Sequence, residues 1–318
     1  MTGYIIRRLL LLIPTWLVVS LIVFFSIRLI PGDIIDYNFT SILYLPPEKL
    51  EEIRHEMGLD KPAYIQYFSW LSGVVRGDLG NSLFTGKPVL SQILKRVPVS
   101  AEIAVLASGL GIVIAVPLGV LSAVKRNSWM DYLGRGFAVA GISVPNFVLA
   151  TLIVLLPVLW WGWASPLYYK HFWQDPWINI QQVFPAAVVL GMRLVSTDMR
   201  MTRSTMLEVL REDYVRTARA KGLAERTVIM RHALKNALIP VVTLWGTSFA
   251  FLLGGTVIIE TIFGLPGVGQ LTIDAINRRD YTQFQGNVLF LATIIVLMNF
   301  LVDLSYSLLD PRIRYERR

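Results

Sequence analysis

The chain has no cysteine. That removes disulfides and thiolate metal ligands and leaves the redox compartment undecided. Histidine is nearly as scarce: His55, His171 and His232 lie far apart, and HEMGL at His55 lacks the second histidine of a zinc-binding helix. Charge is sparse too, at 16% of residues, below the share usual in soluble domains. GLPGVGQ at Gly264 to Gln270 has glycines but no Lys-Ser/Thr after them, and Ala107 to Gly111 contains no nucleophile elbow. These gaps exclude the common hydrolase and nucleotide-hydrolysing readings, so the chain is expected to be non-catalytic. A solute moved uphill by it must draw energy from another protein.

Apolar residues fill the composition instead, at 54%, with a mean hydropathy of +0.55. Such values describe a polytopic membrane protein. The 318 residues suffice for about six spans of roughly 20 residues with one small extramembrane region, and leave no room for an attached catalytic domain. Apolar windows fall at Leu9 to Ile30, Ala101 to Val124, Gly136 to Trp161, Phe184 to Met201, Ile239 to Phe263 and Asn287 to Leu309. The first follows Arg7 and Arg8 as a signal peptide would, but it outruns an h-region and reads as a retained span. Pro117 and Pro145 permit kinks.

An even number of spans puts both termini on one side, and the basic residues choose it. Arg7, Arg8, Lys125, Arg126, Arg135, Arg200, Arg203, the seven cations from Arg211 to Lys235 and the four from Arg312 to Arg318 share that side, making 18 of 30 basic residues against seven acids. The N-terminus, the 211–240 loop and the tail are therefore expected in the cytoplasm. The net charge of +8 is partitioned by membrane side and not gathered on one face, so nucleic acid is not an expected partner. Trp160, Trp161, Trp163, Tyr168, Tyr169, Trp173 and Trp177 fit an interfacial belt on the outer loops. Residues 31–100 form the only sizeable soluble segment, with seven basic and eight acidic residues. A helix start at Pro46-Pro47 with Glu48 behind it, a stop at Gly58 and an amphipathic stretch at Ala63 to Val75 suggest a small external cap.

REDYVRTARAKGLAERTVIMRHALKNALIP, from Arg211 to Pro240, is the hydrophilic run between two spans. Acids open it, Gly222 breaks it, and a basic helix is expected from Glu225 to Ala237, giving an angled hairpin. YVRTARAKGL and RHALKNALIP resemble the cytoplasmic coupling loop of the dipeptide/oligopeptide (and nickel) class of ABC importer permeases, the first permease of the pair. IPGD at 30–33, GLDKP at 58–62, GDLGNS at 77–82, SVPNF at 143–147, MTRSTMLEVL at 201–210, ETIFGLPGVGQL at 260–271, RRDY at 278–281 and DPRIR at 310–314 extend the resemblance along almost the whole chain.

The resemblance implies an all-α integral membrane fold with six transmembrane helices, the last five forming the type I ABC importer permease fold. Residues 1–30 would be the cytoplasmic N-terminus and first span, 31–100 the external segment, and 101–318 the core, with the coupling loop at about 206–238. It further implies a bacterial or archaeal cell membrane, a second homologous permease, two ABC ATPase subunits that use ATP and Mg, and an external solute-binding protein. This chain would hold no cofactor. Peptides are the default solute; nickel chelates, glutathione and oligosaccharides are alternatives. Contact with the ATPases would fall to Arg216, Thr217, Ala218, Arg219, Lys221 and Gly222. Arg216 and Thr217 stand where the general permease motif has Glu and Ala. Ala218 is expected to let the hairpin sit close in an ATPase groove, and the arginines to pair with acidic residues there. The bilayer makes buried polar groups costly, so Arg193, Asp198, Glu260, Asn299 and Asp303 are candidates for a translocation pathway. The other reading makes them interhelical bonding partners, with Glu260 snorkelling. Without the hairpin, a self-sufficient ion-coupled transporter or a channel would satisfy the spans.

Overall fold

A computed structural model describes residues 2–29, 47–56, 60–166 and 168–309. Among these the chain is helical apart from turns and one isolated bridge, Asn81 to Pro88. It divides into two compact units, 1–100 with 266–297 and 101–265 with 298–318.

In the first unit, α1 (Thr2–Ser26) is followed by α2 (Pro47–Glu56) and α3 (Ala63–Val75). Proline at the first helical position with Glu48 in the first turn accounts for the start of α2. The proposed stop at Gly58 and the IPGD motif lie outside the described residues. The α1 and α3 helices meet through a bond between Ser20 Oγ and Tyr67 OH at 2.9 Å. Fully buried Phe24 sits edge-on to Tyr67, with ring centroids 5.2 Å apart. The first unit also holds the start of α4 (Val89–Val124), all of α12 (Val268–Asn277) and α13 (Tyr281–Leu309) as far as residue 297. Val89, Ile93, Val268 and Leu271 pack as a core with Leu79, Val97, Phe290 and Leu291 around them. Buried Asp280 organises the GDLGNS turn. It accepts from Ser82 Oγ, from Leu83 N at 3.1 Å, from Phe84 N at 3.3 Å and from Gln283 N at 3.1 Å.

The second unit carries α5 (Trp129–Ser143), α6 (Asn146–Trp161), α7 (Pro176–Val209), α8 (Asp213–Ala220), α9 (Glu225–Thr227), α10 (Leu234–Gly255) and α11 (Val257–Phe263). Its axis is α7, whose buried face meets α5, α6 and α10. Ala115, Ala138, Val195 and Met199 form one cluster there. Close approach depends on small residues: a Cβ added at Gly119 would stand 2.6 Å from Thr202 Cβ and 2.9 Å from the Met199 carbonyl oxygen.

The span pattern departs from the sequence windows. Four helices are long and apolar enough to cross a bilayer: Val89–Val124, Pro176–Val209, Glu225–Gly254 and Tyr281–Val302. The window Gly136 to Trp161 is not one helix but α5 and α6, bent by 97°. Val144 and Pro145 both take extended backbone, with ψ of 121° and 138°, because the ring of Pro145 disfavours the helical region for the residue before it. Pro117, Pro157, Pro185 and Pro240 are instead accommodated inside helices. The window Ile239 to Phe263 also breaks, between α10 and α11 at Thr256. Gly254 and Gly255, poor helix formers, precede that break, and Thr256 Oγ1 turns to Glu260 Oε1 at 2.6 Å.

Candidate functional site

The hairpin of residues 206–238 is built around one apolar contact. Val215 and Ala218, three apart on α8, close on Val228, with Val209 and Leu210 beside them. Asp213 in the first turn of α8 and Arg219 in the last match the helix dipole. Lys221 caps the helix, and Gly222 follows with φ of +76°, a left-handed conformation that glycine adopts without penalty. Across this elbow Arg219 grips Glu225 with two nitrogens, Nη2 to Oε1 at 2.8 Å and Nε to Oε2 at 3.1 Å. The guanidinium holds the Glu225 carboxyl below its ordinary range, and the carboxylate raises Arg219 in turn. A second tie runs from Asn236 Nδ2 to Tyr214 OH at 2.8 Å.

The geometry corrects three expectations. Ala218 does not face outward to a partner's groove; it is buried in the hairpin's own core, because its spacing from Val215 puts both on the inner face. Arg219 is committed to Glu225, so it is not a free cation awaiting an acidic partner. The second arm is not a separate basic helix from Glu225 to Ala237. It continues through a π-helical turn, Val228–Ala233, into α10, so that Glu225 to Gly254 is one helical stretch. The outward surface of the hairpin consists of Arg216, Thr217, Lys221 and Gly222, with Tyr214, Leu223 and Met230 adding apolar area. Arg216 pairs with Asp213 at 3.0 Å, both exposed.

Of the five polar residues of the apolar segments, Arg193 and Asp198 lie on α7, Glu260 on α11, and Asn299 and Asp303 on α13. Arg193 is exposed on α7. Asp198 is fully buried on the same helix, and neither carboxyl oxygen has a hydrogen-bond partner. Glu260 does not snorkel: it is fully buried and takes the Thr256 hydroxyl. Asn299 is exposed on α13. Asp303 lies on α13, and its side chain falls outside the described residues.

Sequence reasoning missed Asp131, which it had counted only as a loop acid. Asp131 is fully buried and accepts Arg203 Nε at 2.7 Å, Arg203 Nη2 at 2.8 Å, the Ser122 hydroxyl and Asn127 N at 3.0 Å. One carboxylate thus joins α4, α5 and α7. The signal available was Ser128-x-x-Asp131, the pattern that opens a helix. The loop between α6 and α7 has a similar anchor: Tyr169 OH donates to Glu102 Oε2 at 3.1 Å, and Asn179 Nδ2 donates to the same oxygen at 3.2 Å. Burial first, then the adjacent Glu102 carboxylate, pushes the Tyr169 phenol up.

The family described as "Binding-protein-dependent transport system inner membrane component" matches residues 115–315, and its N-terminal counterpart, "Binding-prot-dependent transport system membrane comp, N-term", matches 1–104. A putative peptide transport system permease protein of Brucella abortus is 40% identical, with 99% of this chain and 100% of the relative covered. The dipeptide transport system permease protein DppB of Escherichia coli K12 is 39% identical, with 100% of both covered. The glutathione transport system permease protein GsiC of Pectobacterium atrosepticum is 37% identical, with 99% and 100% covered. Among solved structures, the inward-facing MetNI methionine ABC transporter superposes with a TM-score of 0.56 at 16% identity, covering 70% of this chain and 97% of that one. An amino acid ABC transporter gives 0.52 at 14% identity, covering 76% and 98%.

Proposed function

The chain belongs to the family of binding-protein-dependent transport system inner membrane components, and on that premise we propose that it passes peptides or a similarly small solute from an external binding protein to the cytoplasm. It is a multi-pass permease subunit of an ABC importer and acts as a conduit, not as a catalyst. We propose further that its partners are a second, similar permease and two ATPases, with both termini and the hairpin in the cytoplasm. ATP and Mg belong to the ATPases; this chain holds no cofactor in our reading.

The hairpin carries the mechanism. A groove on an ATPase that shifts when the ATPases close would push the exposed face of α8 and the Gly222 elbow. Because the second arm runs on into α10, that push reaches the membrane without crossing a flexible joint. The Arg219 to Glu225 clasp keeps the two arms moving as one body. Arg216, Thr217 and Lys221 are the polar contacts, while Ala218 and Arg219 hold the hairpin's shape. The turn ordered by Asp280 is proposed as part of the surface that meets the binding protein.

Co-purification from the native membrane tests this. Recovery of a second permease and ATPases, with hydrolysis stimulated by a binding protein loaded with peptide and uptake of that peptide into proteoliposomes, is the expected result. Recovery of this chain alone, transporting without ATP, would establish a self-sufficient transporter instead. A binding protein loaded with glutathione, a nickel chelate or an oligosaccharide would keep the mechanism and change the solute.

A further inference from the structure

A cleft of about 610 Å³ opens in the second unit between α5, α7 and α10, within the size range of small-ligand sites. Arg135, Arg200 and Arg203 line it together with Thr197, Ser204 and Leu244. Their charges are not balanced. Asp131 is the one carboxylate bonded to any of the three among the described residues, and its hydrogen bonds go to Arg203. Arg203 uses Nε and one terminal nitrogen there, and among the described residues no acceptor faces its other terminal nitrogen. Arg135 Nε lies 3.7 Å from the same carboxylate, too far for a hydrogen bond, and is buried without a partner. Arg200 makes no ion pair and is exposed. Three guanidiniums around one carboxylate leave net positive charge facing the cleft, which an oxyanion would complement, and the guanidinium fork fits an oxyanion's two oxygens.

We propose that this cleft is an oxyanion site, in which Arg135 and Arg200 with the free nitrogen of Arg203 bind a carboxylate or phosphate group. Two sources carry that chemistry: the carboxylate of a solute in transit, which rests on the peptide-import reading above, and the phosphate of an anionic lipid, which does not. Ser204, exposed on the rim, offers a hydroxyl donor to either.

The test uses the assembled importer without its binding protein, in nanodiscs of phosphatidylcholine alone and of phosphatidylcholine with phosphatidylglycerol in equal parts. Binding of labelled dialanine is measured in the first, and phosphatidylglycerol retained by the complex in native mass spectrometry in the second. Arg200→Gln alone, and Arg135→Gln with Arg200→Gln, are compared with Arg126→Gln, an exposed loop cation outside the cleft. Loss of charge-assisted hydrogen bonds to one anion should weaken retention of dialanine or of phosphatidylglycerol by about tenfold, and Arg126→Gln should change neither. Arg200 is exposed and has no side-chain bond among the described residues, so its single variant still reports if the double variant fails to assemble. Dialanine loss identifies the solute carboxylate. Phosphatidylglycerol loss without dialanine binding in the wild type keeps the site and makes lipid its ligand, leaving peptide import to be judged by uptake. Wild-type retention of both probes by Arg200→Gln and by the double variant, or retention of neither by the wild type, overturns the proposal.

Discussion

At the scale of single residues, Gly222 and Asp131 make opposite demands. At Gly222 the surroundings are open, since an added Cβ would meet nothing within 4 Å; the constraint is the positive φ alone, which costs an L residue about 1 kcal/mol. Gly222→Asp is therefore expected to leave insertion and subunit assembly intact while distorting the elbow. Peptide uptake should fall to background, and ATP hydrolysis should stop responding to the binding protein; normal uptake would remove the elbow from coupling. Asp131 is constrained by its partners instead. Asp131→Asn leaves a mostly buried guanidinium facing an amide and should destabilise the core by about 3 kcal/mol, read as a lower midpoint of thermal unfolding in detergent. Arg203→Lys in the wild type should keep the positive charge but lose the two-pronged bond, and so lower the midpoint by less than Asp131→Asn. Gly222 was legible in the sequence because a glycine between two amphipathic stretches has a local meaning. Asp131 was not, since its partner lies 72 positions away and only folding brings them together.

At the scale of elements, the sequence marked where apolar segments lie but not where they bend. Pro145 and Pro117 look alike in a hydropathy window, yet one ends α5 and the other sits inside α4. The local pattern does not separate them, since the ring of either proline disfavours the helical region for the residue before it, and Val144 yields to that preference while Val116 stays helical. The joining of the hairpin to α10 was hidden for a related reason. The charged stretch from Glu225 to Lys235 reads as soluble and the stretch after Ile239 as membrane, although one helical backbone can cross both solvents. That continuity predicts a mechanical result. Two glycines inserted between Lys235 and Asn236 would keep the Arg219 to Glu225 clasp and the elbow, give up the Asn236 to Tyr214 bond, and put a flexible joint below them. ATPase subunits should still co-purify with this variant, and uptake should be lost. Uptake at the wild-type rate would mean that α10 is not the lever, and attention would pass to α7 at the other arm.

For the whole molecule, the proposed orientation in the bilayer rests on composition and not on packing detail, so it is argued from the sequence alone. Arginine and lysine near the ends of short loops resist translocation, and the hairpin concentrates them: Arg216, Arg219, Lys221, Arg226, Arg231 and Lys235 fall within residues 213–240. The end of α6, the loop after it and the start of α7 have the opposite character, with Trp160, Trp161, Tyr168, Trp173 and Trp177 exposed as side chains suited to a headgroup boundary. Absence of cysteine makes the chain its own labelling background. Thr227→Cys, exposed on the hairpin, and Trp173→Cys, exposed on the aromatic loop, each supply a single thiol far from Asp131 and the buried core. In intact cells with the outer barrier permeable to small reagents, a membrane-impermeant maleimide should label Trp173→Cys readily. Thr227→Cys should be labelled only in inverted vesicles. The reverse pattern would place the hairpin outside, away from any ATP, and no coupling role for Gly222 or α10 would survive it.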